Sequence, residues 1–300
     1  MAVAGIGQCC WDILALVGRY PEADGKEEVL ALEEQGGGPV ATALVALARL
    51  GVPCRFHGVV GDDAAGDDIR RSLVSEGVDV AGLVTRCNAS SQKAFIAVEE
   101  RSGRRTIFWK RPTGAPLQPE DLGAEWLEGC RFLHLDGLMT EVSLYGARQA
   151  RGCGIPVMLD AGRMRPGMRE AARKCDYLVA GEQFARDLGW DGTPAGFPGL
   201  AERLGPPVVT VTRGERGSIT WSAEGVMEVP AFEVAVVDTT GAGDVFHGGY
   251  IYGLMQGEGL RDAIRFASAV AALKCTRLGG RTGIPALPEV RRFLAERGGR

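Results

Sequence analysis

The sequence contains no apolar run approaching the roughly 20 residues that a membrane-spanning helix needs. Its N-terminal stretch, MAVAGIGQCCWDILALVG, has no basic n-region and carries Asp12 among its apolar residues. It is therefore read as a buried first strand and not as a secretory leader. Cysteine occurs eight times, but no pair has CxxC spacing and most stand in apolar surroundings. In a chain this long, that distribution argues for reduced, packed thiols and against a zinc site or a disulfide framework, so a cytoplasmic location is expected. The three histidines, His57, His134 and His247, lack metal-ligand spacing. Positive charge is not in excess: 34 Lys and Arg stand against 38 Asp and Glu, a net charge of −4. That balance argues against a general binder of nucleic acid or anionic membranes. Neither GxxxxGKS nor GxxxxGKT occurs, which excludes P-loop chemistry. Gly5-Ile6-Gly7 follows a strand-like run, but Cys10 stands where a dinucleotide fingerprint needs its third glycine.

Glycine is what the sequence has in abundance. There are 44 in 300 residues, about twice the usual share. No Gly-X-Y period or Gly/Ser linker absorbs them, so many must stand where only glycine fits. The remaining composition, 45% hydrophobic and 24% charged, is that of a globular protein able to bury a sizeable core in one large domain or two.

Apolar periodicity predicts a first strand at 2–7 and further strands at 11–17 and 27–32, separated by turn chemistry at Tyr20-Pro21 and Asp24-Gly25. Gly36-Gly37-Gly38-Pro39 precedes a small-residue helix over 40–50 that stops at Gly51. A strand at 55–60 leads through Gly61-Asp62-Asp63-Ala64-Ala65-Gly66 into a helix ending near 76. Residues 94–98 and 106–109 read as a hairpin around Ser102-Gly103. From about residue 130, strands (132–135, 157–160, 177–179, 208–212) alternate with helices (142–151, 168–174, 182–188). Two long helices follow, over 242–256 and 260–276. Such alternation predicts an α/β fold, a doubly wound, mostly parallel sheet with helices on both faces. The strand-only pieces break the rhythm and read as a small β-sheet inserted at two points. The expected division is a core of 1–10, 36–91 and 112–300, with the small sheet formed by 11–35 and 92–111.

The strongest local signal is Asp238-Thr239-Thr240-Gly241-Ala242-Gly243-Asp244, followed by an apolar helix. The first amides of a helix lack partners and attract anions. An aspartate there repels a phosphate unless it acts as a base beside amides that neutralise a phosphoryl group in transfer. Physics alone leaves open the simpler reading, an aspartate in a glycine turn at a helix start.

Residues 238–251, DTTGAGDVFHGGYI, resemble the C-terminal signature of the PfkB (ribokinase-like) sugar kinases over the full 14 residues. Gly36-Gly37-Gly38-Pro39 resembles that family's first glycine signature. Gly61-Asp62-Asp63 with Gly66, and the segment TVTRGERG at 210–217, stand in the expected order. The resemblance covers essentially the whole chain and implies a doubly wound α/β domain with a β-sheet lid.

It also implies roles. Asp244 would be the catalytic base, and Gly241, Ala242 and Gly243 the anion hole for the γ-phosphate. Thr212, Gly214, Gly217, Thr240, Ser268 and Gly280 would border ATP, with the Gly279-Gly280-Arg281 loop near adenine or ribose. Asp12 would hold sugar hydroxyls, with Gly37 and Gly38 exposing backbone to the sugar. Mg2+ would be held mainly by ATP phosphates and water. A monovalent cation such as K+ is an option near the Asp238–Thr240 backbone. Two departures stand out. Gly181-Glu182-Gln183-Phe184 replaces the usual Asn-x-x-Glu, leaving Glu182 as a candidate metal contact, and Ala41 replaces an asparagine of the first signature.

Within the family, the segments GGGPVATAL and RFASAVAALKCTRLGGRTGIP resemble the sulfofructose kinase branch, and the opening GQCCWDILALVGRYP resembles ketohexokinase. Lys26 matches a residue near the sulfonate in the former, but Trp109 and Leu138 replace its other anion-binding partners. Arg105 belongs to a basic cluster with Arg104, Lys110 and Arg111 on the lid hairpin, expected toward the sugar's far end, and Trp11 and Trp109 are candidates to stack on the sugar. The expected activity is ATP-dependent phosphorylation of a primary hydroxyl of a small sugar, a ketose or a derivative. A nucleoside kinase and a non-catalytic sugar-binding regulator are the alternatives. Exposed lid strands need cover, so a homodimer through the lids is expected.

Overall fold

A computed structural model describes residues 2–298. The first strand, β1 (Ala2–Ile6), runs parallel to β4 (Cys54–Gly61) on one side and β8 (Cys130–Leu135) on the other. Before β4 the chain forms β2 (Cys10–Val17), β3 (Val29–Gly37) and α1 (Pro39–Arg49). After it come α2 (Ala64–Ser75), β5 (Val78–Arg86), β6 (Lys93–Glu99) and β7 (Arg105–Lys110). Beyond β8 the alternation runs α3 (Thr140–Gly152), β9 (Val157–Ala161), α4 (Met168–Ala172), β10 (Tyr177–Gly181), α5 (Glu182–Asp187), α6 (Phe197–Leu204) and β11 (Val208–Thr212). An antiparallel hairpin, β12 (Ser218–Ser222) and β13 (Gly225–Val229), ends the sheet, and α7 (Ala242–Met255), α8 (Leu260–Lys274) and α9 (Leu287–Glu296) complete the described fold.

The large sheet has nine strands in the order β13-β12-β11-β10-β9-β8-β1-β4-β5. Alternate residues of its strands feed two apolar layers. Val3, Phe132 and Met158 join α1, α2, α7, α8 and α9 on one face. Ala4, Leu133 and Leu159 join α3, α4, α5 and α6 on the other. The expected doubly wound fold is present. Strand order reverses on either side of β1, and in such sheets the crevice beyond the strand C-termini at that reversal is where ligands bind.

The sequence reading did not include β5, the β12–β13 hairpin, α6 or α9. The hairpin strands are 5 residues each, at a sheet edge, too short for periodicity to reveal. Another difference concerns β3, which runs on through Gly36 and Gly37 because these pair with Trp11 and Cys10.

A second sheet of four strands, β3-β2-β6-β7, lies over the crevice. Asp12, Ala94 and Trp109 are paired in one row across it. With period-2 alternation, Arg105 and Ile107 share their face. That face packs Leu14, Ile96 and Val98 onto Leu278 of the large domain. The opposite face leaves Leu32, Phe95 and Phe108 exposed at 58%, 43% and 61%. Among the described residues, no helix is long and apolar enough to cross a membrane.

Candidate active site

The segment between β13 and α7 turns at Gly241, whose φ of +72° is the left-handed region. A side chain there would be strained, and a Cβ would also stand 2.9 Å from Gly280 O. Ala242 N closes the turn onto Thr239 O at 3.2 Å, and Val245 N bonds to Gly241 O at 2.9 Å. Among the described residues, the amides of Gly243 and Asp244 between them have no acceptor. A Cβ on Gly243 would meet nothing within 4 Å, so bare backbone is presented to the crevice at the positive end of a 14-residue helix.

Asp244 stands half-buried beside those amides, with no hydrogen bond to its carboxyl among the described residues. Burial, together with the nearby Asp160 carboxyl, pushes its pKa up to about 7, against the pull of His247 and Arg105. Such a group is poised as a base near neutral pH.

Beneath it lie Asp160 and Asp136, which the sequence did not single out, together with His247 and His134. Burial pushes Asp160, at the end of β9, up to about 7. It also takes Asp136, just after β8, up to about 7, although Asp136 accepts Gln8 N at 2.7 Å and Leu138 N at 2.9 Å. His247 sits one turn into α7 with Nδ1 2.6 Å from Gly243 O and Nε2 3.8 Å from Asp160. Its ring lies 5.2 Å from that of His134. Burial lowers the pKa of both histidines. Asp136 and Asp160 are ordinary strand-end residues in sequence, and only the sheet brings them together.

Asp12, Gly37 and Gly38 lie side by side. Gly38 has φ +97°, and a Cβ on it would stand 2.6 Å from Cys9 Cα. A Cβ on Gly37 would overlap the carboxyl of Asp12. Asp12 is buried, which raises its pKa, while Arg281 nearby opposes the rise. Arg281 belongs to the loop expected near the nucleotide; its buried guanidinium donates to Gly37 O at 3.0 Å, Thr42 Oγ1 at 3.3 Å and Ser72 Oγ at 3.2 Å, and its main-chain N–H to Gln35 Oε1 at 2.7 Å. It therefore ties the 279–281 loop to the first glycine loop. Asp63 caps α2 through Gly66 N at 2.9 Å and holds Ser91.

Trp109 is 47% exposed on the crevice face of the small sheet, with Arg111 stacked 4.8 Å over its ring. Trp11 points to the other face and donates to Glu34 at 2.9 Å. Arg105 donates to Thr239 Oγ1 at 3.0 Å, and that hydroxyl donates to Gly103 O at 3.3 Å. The tip of the β6–β7 hairpin is thus fastened to the loop before Gly241. Lys26 lies exposed in the β2–β3 loop, beyond Val17 and so about 17 Å or more along the strand from Asp12. Within one chain it does not join the crevice. Beside Gly7, Gln8 and Cys9 a cavity of about 200 Å³ opens, also lined by Gln92, Arg111 and Leu138.

Toward the other end, Thr212 Oγ1 bonds Ala180 O at 3.3 Å, and Gly214 and Gly217 form the following turn, Gly217 N bonding Gly214 O at 3.0 Å. Thr240 and Gly280 are buried together. Ser268 is buried within α8 and spends its hydroxyl on Ile264 O at 3.0 Å. Arg186 engages one carboxylate oxygen of Glu182 at 2.6 Å and Arg216 engages the other, which holds its pKa low. Both carboxylate oxygens of Glu182 are thus engaged by arginines. Asp238 is buried, and its carboxyl accepts Thr240 N at 2.7 Å and Gly279 N at 2.8 Å.

Residues 2–287 match the family described as pfkB family carbohydrate kinase. The chain belongs to that family. This kinase is 30% identical over 298 residues to an ATP-dependent ribose-1-phosphate kinase of Halopiger xanaduensis, covering 98% of each chain. It is 28% identical over 301 residues to a nucleoside kinase of Methanothermobacter thermautotrophicus, covering 98% and 96%. An E. coli protein assigned as ribokinase II, solved in complex with ATP and Mg2+, superposes with a TM-score of 0.83 at 26% identity and 99% coverage of both chains. The kinase is thus a phosphotransferase of the sugar and nucleoside kinase type.

Proposed function

We propose that the kinase transfers the γ-phosphoryl group of ATP to a primary hydroxyl of a small sugar, with Asp244 as the base. The observation that carries this reading is the unpartnered Asp244 carboxyl, with its pKa at about 7, beside amides that have no acceptor. Asp244 takes the hydroxyl proton as the oxygen attacks the γ-phosphorus in line and the bond to the ADP oxygen breaks. The amides of Gly243 and its neighbours meet the charge on the equatorial oxygens. Asp12 and the backbone of Gly37 and Gly38 orient the sugar.

Magnesium, when bound, neutralises phosphate charge. Among the described residues no three His, Cys, Asp or Glu side chains are grouped to hold a metal. That donor set suits an ion carried by nucleotide phosphates and water.

A ribose-type furanose stands ahead of the ketose that the sequence suggests, because the ribose skeleton is common to the ribose-1-phosphate and nucleoside kinase relatives. The cavity lined by Gln8, Gln92, Arg111 and Leu138 gives room for a substituent on it. The small sheet, comprising 11–35 and 92–111, acts as the lid. Its exposed Leu32, Phe95 and Phe108 face is read as the contact with the lid of a second copy. The deciding measurement is ADP release with ribose, ribose-1-phosphate, nucleosides, fructose, sulfofructose, tagatose and 2-keto-3-deoxygluconate. Turnover of a ribose compound is expected. Binding of a sugar without any turnover would favour a regulatory protein.

A further inference from the structure

Lys274, the last residue of α8, is 0% exposed. Its Nζ donates to the main-chain oxygen of Asp238 at 2.8 Å. That oxygen belongs to the loop that builds the anion hole. The same loop is anchored from three further directions. The Asp238 carboxyl binds Thr240 N and Gly279 N. Val237 N and Asp238 N donate to Cys275 O at 2.8 and 3.2 Å. Thr239 carries the Arg105 contact.

A fully buried ammonium is costly unless a local negative potential offsets it. Here that potential comes from the C-terminal end of α8 and from Asp238 and Asp244, both of which oppose the lowering of the Lys274 pKa by burial. Its recorded hydrogen bond goes to a backbone carbonyl and not to a carboxylate. Backbone carbonyls are also the ligands that K+ takes. A K+ ion on the Asp238 carbonyl would stand about as far from it as an ammonium does, and two cations do not share that space. The Asp238 carbonyl, within the 238–240 backbone where the resemblance left room for a monovalent cation, is therefore already held by an ammonium in this chain.

We propose that Lys274 supplies as a covalently attached ammonium what a bound monovalent cation would supply behind the anion hole, and that this kinase works without K+. The inference rests on the reading of the 238–244 loop as the phosphate site. Lys274 acts as a positioning residue: it touches no reacting atom and holds the loop whose amides do.

The test compares KCl with choline chloride at equal ionic strength, by turnover and by melting temperature. The wild type is expected to show the same kcat, KM for ATP and melting temperature in both salts. Lys274→Met should lose about tenfold or more in kcat in choline chloride and recover in KCl. Its melting temperature should rise by about 3 °C in KCl over choline chloride. Stimulation of the wild type by K+ overturns the proposal. So does a Lys274→Met enzyme that is fully active, or one that is folded but unresponsive to K+. If Lys274→Met does not fold, the wild-type comparison still decides. Should the wild type release no ADP in either salt, the phosphate-site reading fails, while the melting temperatures still report on the cation.

Discussion

Asp244 is held by burial and by Asp160 at a pKa of about 7, and it must be ionised to accept a proton. The value of kcat/KM should therefore rise with pH through about 7 and level off above it. Removing the neighbouring charge in Asp160→Asn should move that rise to lower pH, and an unmoved profile would show that the two carboxyls do not communicate. Asp244→Asn should lower kcat by about 10²–10⁴-fold with ATP binding retained, as nucleotide titration can check. The same groups govern stability. Asp136, Asp160 and Asp244 all have folded-state values of about 7, above the ordinary carboxyl range. Through these groups the folded state binds more protons than the unfolded chain between about pH 4 and 7, so their contribution to stability is fully present below that window and lost as pH rises through it. The melting temperature should fall from pH 5 to pH 8, and Asp160→Asn should flatten the decline.

The element that matters most for closure is the β6–β7 hairpin. Its Arg105 and Gly103 grip Thr239, which couples the position of the hairpin to the loop proposed to hold the transferring phosphoryl group. A lid that seats poorly admits water to that group. Arg105→Ala is expected to change stability by no more than about 0.5 kcal/mol, because Arg105 is exposed. It should lower kcat/KM for the sugar about tenfold and release more ADP than sugar phosphate. Equal yields of the two products would argue that Arg105 has no part in closure. The helix α7 is the opposite kind of element, legible from sequence before any coordinates. Its glycine turn, its first-turn aspartate and its apolar body all lie within 18 consecutive residues, 238–255.

At the scale of the molecule, the 279–281 loop, the first glycine loop and the small sheet form one connected frame through Arg281 and Gln35. The outer face of that sheet remains uncovered in a single chain. A Phe108→Glu chain should remain monomeric in light scattering at concentrations where the wild type is a dimer. Wild-type chains that stay monomeric would remove the lid-to-lid contact.

The sequence by itself determined what is local. The strand and helix alternation reported the doubly wound sheet, and contiguous glycine motifs reported the turns before α1 and α7, because a turn with positive φ and its flanking helix lie within a few residues of one another. The short edge strands and α6 carried too little pattern to be read. Only the tertiary structure decided what depends on residues far apart in the chain. Asp136, Asp160 and His247 become one buried cluster because β8 and β9 end where α7 begins, and their shared burial is what moves their proton affinities. Arg281 is tied to the first glycine loop because its guanidinium reaches Gly37, 244 residues away in sequence. Lys274 looks like an ordinary helix-ending lysine until the fold closes over it. Once it is sealed against the Asp238 carbonyl, no solvent remains to screen its charge, and the lysine becomes a support of the loop before α7.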